Sequence, residues 1–273
     1  MEDMREAAWK YGHGSQLIMD GTFGLCDKRM LLFILMGLDE DHKGVPLAFL
    51  LFSALAGNRQ TLAGYNTDII ADLVGRWKAS LGSQNGEPFI ILVAITDTDL
   101  MEQGTLIRVF PNIWLLICKF HLHQCWRNHH NWEVKGKTPS HSYLRARLSH
   151  LGDVLVKTTT IDAAHALIQD EQEIFTDLDN VPTEKGIIHL NYLSDFWTTE
   201  ALWKGWSDYR WHIVVQILKC PFEGVLPMTN HLESFNGLLK NKHFHCWQRS
   251  WRRLHVDVLI KVLVMEHIHS RVY

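Results

Sequence analysis

Apolar positions fall into three blocks early in the chain, residues 16–25, 30–38 and 45–52, separated by polar stretches at 26–29 and 39–44. Runs of this length bounded by turn-forming residues read as strands, and three in succession predict an antiparallel meander. The period then changes. Leu62, Tyr65, Ile69, Leu73, Trp77 and Leu81 recur every three or four residues, which is the spacing of a helix with one buried stripe. Residues 82–88 break that helix. A continuous apolar strand is predicted over 89–95, a helix over 99–109 and a second buried strand over 113–118.

Beyond about residue 131 the strand signals stop and helical stripes take over, first Leu144, Leu148, Leu151 and Leu155, then Ile161, Ala164, Ile168, Phe175 and Leu178. Helical periodicity resumes at Thr229, and a last helix carries Leu254, Val258, Val262, Met265, Ile268 and Val272. The expected organisation is a core over residues 1–131, an all-helical insertion over 132–226, and the rest of the core over 227–273. A meander followed by helix, strand, helix, strand is the element order of an RNase H-like α/β fold, a mixed sheet flanked by helices.

With 47% hydrophobic residues in 273, the chain can bury a substantial core. Its first residues show no secretory pattern, and its apolar runs are too short to cross a bilayer, so no membrane partner is expected. The five cysteines are scattered and odd in number, which argues against a disulfide framework. A net charge of −3 hides an uneven distribution. Residues 153–208 hold eleven acids against Lys157, Lys185 and Lys204, so the remainder is net basic. Between Ser234 and Val256 there is no acid, and Lys240, Lys242, Arg249, Arg252 and Arg253 alternate with Phe244, Trp247 and Trp251. Such a stripe suits phosphates; an ordinary solvated helix face with core aromatics has the same signature.

Three carboxylates stand out, each with a plainer reading beside it. Asp20 either lies within the first strand or forms an Asp-Gly hairpin turn with Gly21. Asp97 ends the strand 89–95 where a helix begins; Asp99 and Glu102, three residues apart, can supply that helix with a capping box and leave Asp97 without a structural task. Glu233 either caps its helix together with Asn230 or shares a stripe with Asn230, Gly237 and Lys240 that faces a metal and a phosphate. Cys118, His121, His123 and Cys125 have zinc-type side chains at a spacing no standard finger uses, so structural zinc is not expected. Trp197, Trp203, Trp206 and Trp211 are read as core, with stacking on an unpaired base as the alternative.

Taken together, these residues resemble the Mutator-like (MULE) transposase family. Its Asp-Gly-Thr motif is matched by Asp20, Gly21 and Thr22. Its second block is matched from Ile95, Thr96 and Asp97 through Val109, Phe110 and Pro111 to Cys118, Lys119, Phe120 and His121, with Asp99 as the alternative to Asp97. Its Asn-rich helix bearing a glutamate is matched by Thr229 to Asn236, followed by Leu239 and Lys240. The resemblance implies a DDE-type catalytic core in which Asp20, Asp97 and Glu233 hold two Mg²⁺ or Mn²⁺ ions, Asp20 bridging them. Their mutual repulsion without metal is expected to raise pKa values and loosen the site. Cys118, His121, Asn230 and Asn236 would be accessory residues.

The implied activity is phosphodiester cleavage and strand transfer on double-stranded DNA by a homo-oligomer in the nucleus. No zinc-finger module precedes these blocks and no SWIM-like Cys/His module follows them, so the chain is expected to be a core or fragment. Three other classes remain: a transposase-derived DNA-binding regulator without cleavage, an RNase H-like nuclease of another family, and a helical structural protein whose carboxylates are all caps.

Overall fold

The computed structural model describes residues 2–26, 30–53, 65–178, 181–226, 229–247 and 253–265. The chain divides into two compact units, Met1–Leu115 with Met228–Tyr273, and Leu116–Pro227. It is mixed α/β, with a five-stranded sheet that combines antiparallel and parallel neighbours.

The first unit opens with helix α1 (Glu2–Ala7) and a π-helical turn at Ala8–Gly12, neither of which has an apolar run to announce it. Tertiary bonds anchor them: Arg5 and the Trp9 indole both donate to the Leu81 carbonyl, at 3.1 and 3.3 Å. The meander comes next as β1 (Gln16–Phe23), β2 (Met30–Leu38) and β3 (Gly44–Ser53). Eight of the nine residues of β2 are buried, because β1 and β3 flank it and both its faces are covered. The sheet edge β3 carries Pro46 beside an irregularity at Leu35/Met36, a position where the missing N–H disrupts little.

Helix α2 (Thr67–Leu81) starts at Asn66, whose side chain accepts the Ile69 N–H at 3.0 Å. The break after α2 is itself ordered as a hairpin of β4 (Ser83–Gln84) and β5 (Glu87–Pro88). Asn85 and Gly86 at its tip both have positive φ, as a tight primed turn requires. The next strand, β6 (Val93–Thr96), is shorter than the 89–95 expected. Phe89 is instead spent on the core, edge-on to Trp9 and Trp77 at 5.4 Å, and the backbone first engages its neighbours at Ile90, whose carbonyl accepts the Gly14 N–H at 2.9 Å. Helix α3 (Leu100–Val109) and strand β7 (Trp114–Ile117) complete the sheet in the order β3-β2-β1-β6-β7.

In the second unit, α4 (Lys119–Glu133), α5 (Pro139–Leu155), α6 (Ile161–Leu178), α7 (Val181–Tyr192), α8 (Glu200–Trp206) and α9 (Asp208–Leu218) form a helical body, with a π-helical turn at Leu193–Trp197. Its boundary corrects the expected division at residue 131. Leu122 and Trp126 of α4 bury among Leu148, Leu151, Trp197 and Trp206, so α4 belongs to the helical body. Trp197, Trp203, Trp206 and Trp211 are all at most 4% exposed, which makes them core residues and leaves no open face for a base to stack on. Trp203 and Trp206 place their indole N–H groups on Thr158 Oγ1 and the Trp197 carbonyl, so burial leaves both donors satisfied.

The chain returns to the first unit as α10 (Asn230–Leu238), a π-helical turn (Leu239–His243), a 3₁₀ turn (His245–Trp247) and α11 (Val256–Met265). Leu232, Phe235 and Leu239 face inward as their spacing predicts, and the Phe235 ring stacks on Phe49 of β3. Ile268 and Val272 of the expected last helix lie outside the described residues.

Candidate functional site: an acidic cluster at the sheet centre

Asp20 sits inside β1, opposite Ile34 of β2, and the strand runs on through Thr22 to Phe23. The Asp-Gly hairpin reading is therefore corrected. Gly21 is needed for a different reason: it pairs with Phe33, and a Cβ on it would lie 2.8 Å from that buried ring. The close approach of the aromatic keeps this position small.

Register brings the second carboxylate in. β1 and β6 run parallel with Ile18 level with Ile95. Two residues further along each chain stand Asp20 and Asp97, so a parallel pairing set by apolar neighbours carries both acids to the same end of the sheet. Strand ends of this kind are where open α/β sheets bind ligands. Asp97 does have a structural task, contrary to the expectation from spacing. Its Oδ1 accepts the Asp99 N–H at 2.6 Å, and its carbonyl accepts from Gln103 Nε2 at 3.2 Å. Asp99 is the N-cap of α3, accepting the Met101 N–H at 2.7 Å, and the Tyr65 hydroxyl donates to its other oxygen.

These bonds overturn the capping box. In a capping box Glu102 would take the Asp99 N–H, but Asp97 already holds it. Glu102 turns inward instead and is only 2% exposed, with Oε2 lacking a hydrogen-bond partner among the described residues. One oxygen each from Asp20, Asp97 and Glu102 lie within 4.8 Å of one another. Burial first, and then the charges of Asp97, Asp20 and Asp99, hold the Glu102 carboxyl well above the usual carboxylate range. Burial also pushes the Tyr65 hydroxyl up, its bond to Asp99 adding to the effect. Sequence reasoning missed both Glu102 and Tyr65 as site residues. The available signal was that Glu102, Thr105 and Leu106 share one helical stripe, and all three are buried.

Glu233 of α10 is not in that cluster of oxygens. It lines a surface pocket together with Asp20, Gly21, Thr22, Asn236, Gly237 and Lys240, and its Oε1 accepts from Thr229 Oγ1 at 3.3 Å. Asn236 donates to Asp20 Oδ2 at 3.5 Å, a contact that spans 216 residues of sequence. Asn230 begins α10, which has no side-chain cap bond at Thr229, so the Asn230–Glu233 capping box is not formed. Lys240 and Lys242 are exposed on the π-helical turn after α10, and Arg253 is exposed before α11. Arg249 and Arg252 lie outside the described residues.

Cys118 and His121 fall in the helical unit, Cys118 buried at the N-cap of α4. On the same helix His123 Nδ1 is 3.7 Å from Asp153, and Cys125 Sγ is 3.6 Å from the Tyr192 hydroxyl. That unit has its own cluster of titratable groups. His129 and His189 place their Nδ1 atoms 2.9 Å apart, His129 stacks on Tyr192 at 3.9 Å, and His130 and His189 are almost fully buried. Burial, reinforced by Arg127, pushes His130 down to about 4; burial, reinforced by His130, pushes His189 down to about 3.

No described helix is long and apolar enough to cross a membrane. No protein-family model matches the chain, and no curated protein matches it.

Proposed function

We propose that this chain is the catalytic core of a DDE-type DNA transposase of the Mutator-like kind, built on an RNase H-like sheet. The observation that carries the reading is the parallel register of β1 and β6, which sets Asp20 beside Asp97, while α10 brings Glu233, Asn236 and Lys240 to the pocket that contains Asp20. A meander followed by parallel strands, in the order β3-β2-β1-β6-β7, is in keeping with that fold.

The donor set fits a hard divalent cation: the side chains that converge carry carboxylate oxygens, and one buried oxygen has no protein partner among the described residues. Asp20 and Asp97 would hold Mg²⁺ or Mn²⁺, with Glu233 serving a second ion from the other wall of the pocket. Such ions, when bound, make a water or 3′-hydroxyl nucleophilic and stabilise the leaving oxygen of the phosphodiester. The chain's own residues do the positioning. Asn236 holds the Asp20 carboxylate, Asp97 is fixed by the Asp99 N–H, and Lys240 offers a cation to a DNA phosphate at the pocket's edge. Double-stranded DNA would be the substrate, a homo-oligomer the active form and the nucleus the site of action.

One observation favours the second reading, a DNA-binding regulator that does not cut: Glu233 is engaged by Thr229 and stands apart from the oxygen cluster. Incubation of the protein with labelled duplex and Mg²⁺ or Mn²⁺ separates the two. Nicked and joined products that vanish in Asp20→Asn support the transposase; cutting without joining points to a nuclease; duplex binding without cutting in any metal points to the regulator.

A further inference from the structure

We infer that Glu102 is a direct ligand of a hard divalent cation, completing with Asp20 and Asp97 a three-carboxylate site built within the sheet unit without Glu233. This deepens the metal-dependent reading of the same pocket and rests on it.

Three observations meet at this side chain. One oxygen each from Asp20, Asp97 and Glu102 are mutually within 4.8 Å, close enough that small side-chain adjustments bring all three to the normal oxygen distances of about 2.0–2.6 Å from a single ion. Glu102 is 2% exposed, so water cannot solvate a charge there, and its Oε2 has no hydrogen-bond partner among the described residues. The local role that would make Glu102 an ordinary capping acid is taken, since Asp97 Oδ1 accepts the Asp99 N–H and Asp99 itself caps α3. A buried acid next to two others, with an unpartnered oxygen, needs a proton or a cation. A proton answers Glu102 alone, whereas a divalent cation draws on all three carboxylates.

The arrangement also assigns distinct tasks to the two glutamates. Glu102 is carried on α3 directly after β6, so its reach to Asp97 is set by one local turn. Glu233 arrives on α10, after the intervening helical unit, and lines the open side of the pocket. The ion held by Glu102 therefore needs no ligand from α10.

Calorimetric titration of the intact chain with MnCl₂ or MgCl₂ tests this, with wild type, E102Q, D20N and E233Q compared and thermal unfolding followed with and without metal. Binding by wild type with affinity weakened about tenfold or more in both E102Q and D20N, and little changed in E233Q, supports the inference. In E102Q the metal-free protein should also melt no lower than wild type, since a buried acid has become neutral, while the metal-dependent rise in melting temperature shrinks. Unchanged metal affinity in E102Q together with loss in D20N overturns Glu102 as a ligand and leaves the metal site standing. No binding heat and no thermal shift in wild type overturns both. E102M, an apolar chain of similar length, applies the same criterion should E102Q not fold.

Discussion

The two units bury titratable groups of opposite kind. The sheet unit draws carboxylates to the end of its central strands, and its most enclosed acid, Glu102, is held above its ordinary pKa. The helical unit draws imidazoles between α4 and α7, and its most enclosed histidines, His130 and His189, are held below theirs. Burial is the first cause in every case, because a low-dielectric interior penalises whichever form carries charge. The consequences diverge. Among the carboxylates no side chain can donate unless it takes up a proton, and the cation proposed above would answer that shortage from outside. Two imidazoles 2.9 Å apart satisfy one another when one nitrogen carries a proton and the other does not, so the His129–His189 pair answers its own polarity, whereas the buried His130 Nδ1 has no hydrogen-bond partner among the described residues.

The contrast is broken most directly by removing a carboxylate. On the proposed transposase reading, Asp20→Asn should lower metal-dependent cutting of duplex DNA by about 100-fold or more, given that even outer partners of a metal site are worth about 10–100-fold. The same assay on His189→Gln should show no comparable loss, and equal losses in the two variants would mean the histidine cluster is not merely structural. Packing offers the next test. Phe33 is fully buried, stacks with Phe52 and meets Tyr65 edge-on, so Phe33→Ala should cost about 3–5 kcal/mol in denaturant unfolding. Trp206→Ala in the helical unit should cost about the same, since Trp206 is fully buried against Trp126.

Acid and base should then move the units in opposite directions. For His189 the folded pKa lies below the unfolded value of 6.5, so its contribution is fully present above pH 6.5 and is lost as pH falls toward about 3. His130 acts in the same sense down to about 4. For Glu102 the folded pKa lies above the unfolded value of 4.5, so its contribution is present below pH 4.5 and is lost as pH rises through the elevated value. Melting curves between about pH 4 and 8 should show His189→Gln flattening the acid limb and E102Q flattening the alkaline limb of the metal-free protein. A single limb unaffected by its variant would remove that half of the comparison. The smallest effect is expected at the pocket rim. On the same proposed reading, Lys240→Ala should weaken duplex binding evenly across sequences and reduce the slope of log affinity against log salt by about 1.

Much of the frame is legible in the order of residues. The three meander strands lie within two residues of their apolar blocks, because alternation and burial on a pleated sheet leave little choice of register. The stripe Leu144, Leu148, Leu151, Leu155 is buried as its spacing requires. In the second stripe Ala164, Ile168 and Phe175 are buried, and Leu178 is the exception, exposed at the end of α6. Other features escape sequence reasoning for specific reasons. Asn85-Gly86 is a strong hairpin signal, yet residues 82–88 read as a plain break, since two-residue strands carry no periodicity of their own. The helix at Glu2–Ala7 has no apolar run, and only its bonds to the Leu81 carbonyl, with those of the adjoining turn, explain it. Glu102 reads as half of a capping box because its spacing from Asp99 allows one, and spacing cannot reveal that Asp97 takes the N–H first.

By itself the order of residues determined the three meander strands, the helical stripes and the candidacy of Asp20, Asp97 and Glu233, since each rests on periodicity or on neighbours close in the chain. Only the tertiary structure decided which carboxylates meet. The pairing of Ile18 with Ile95 aligns Asp20 with Asp97, the cap at Asp99 turns Glu102 inward, and α10 delivers Glu233 to the pocket wall, outside the oxygen cluster. Convergence of this kind depends on register and on competition for single hydrogen bonds, and neither leaves a periodic trace in the sequence.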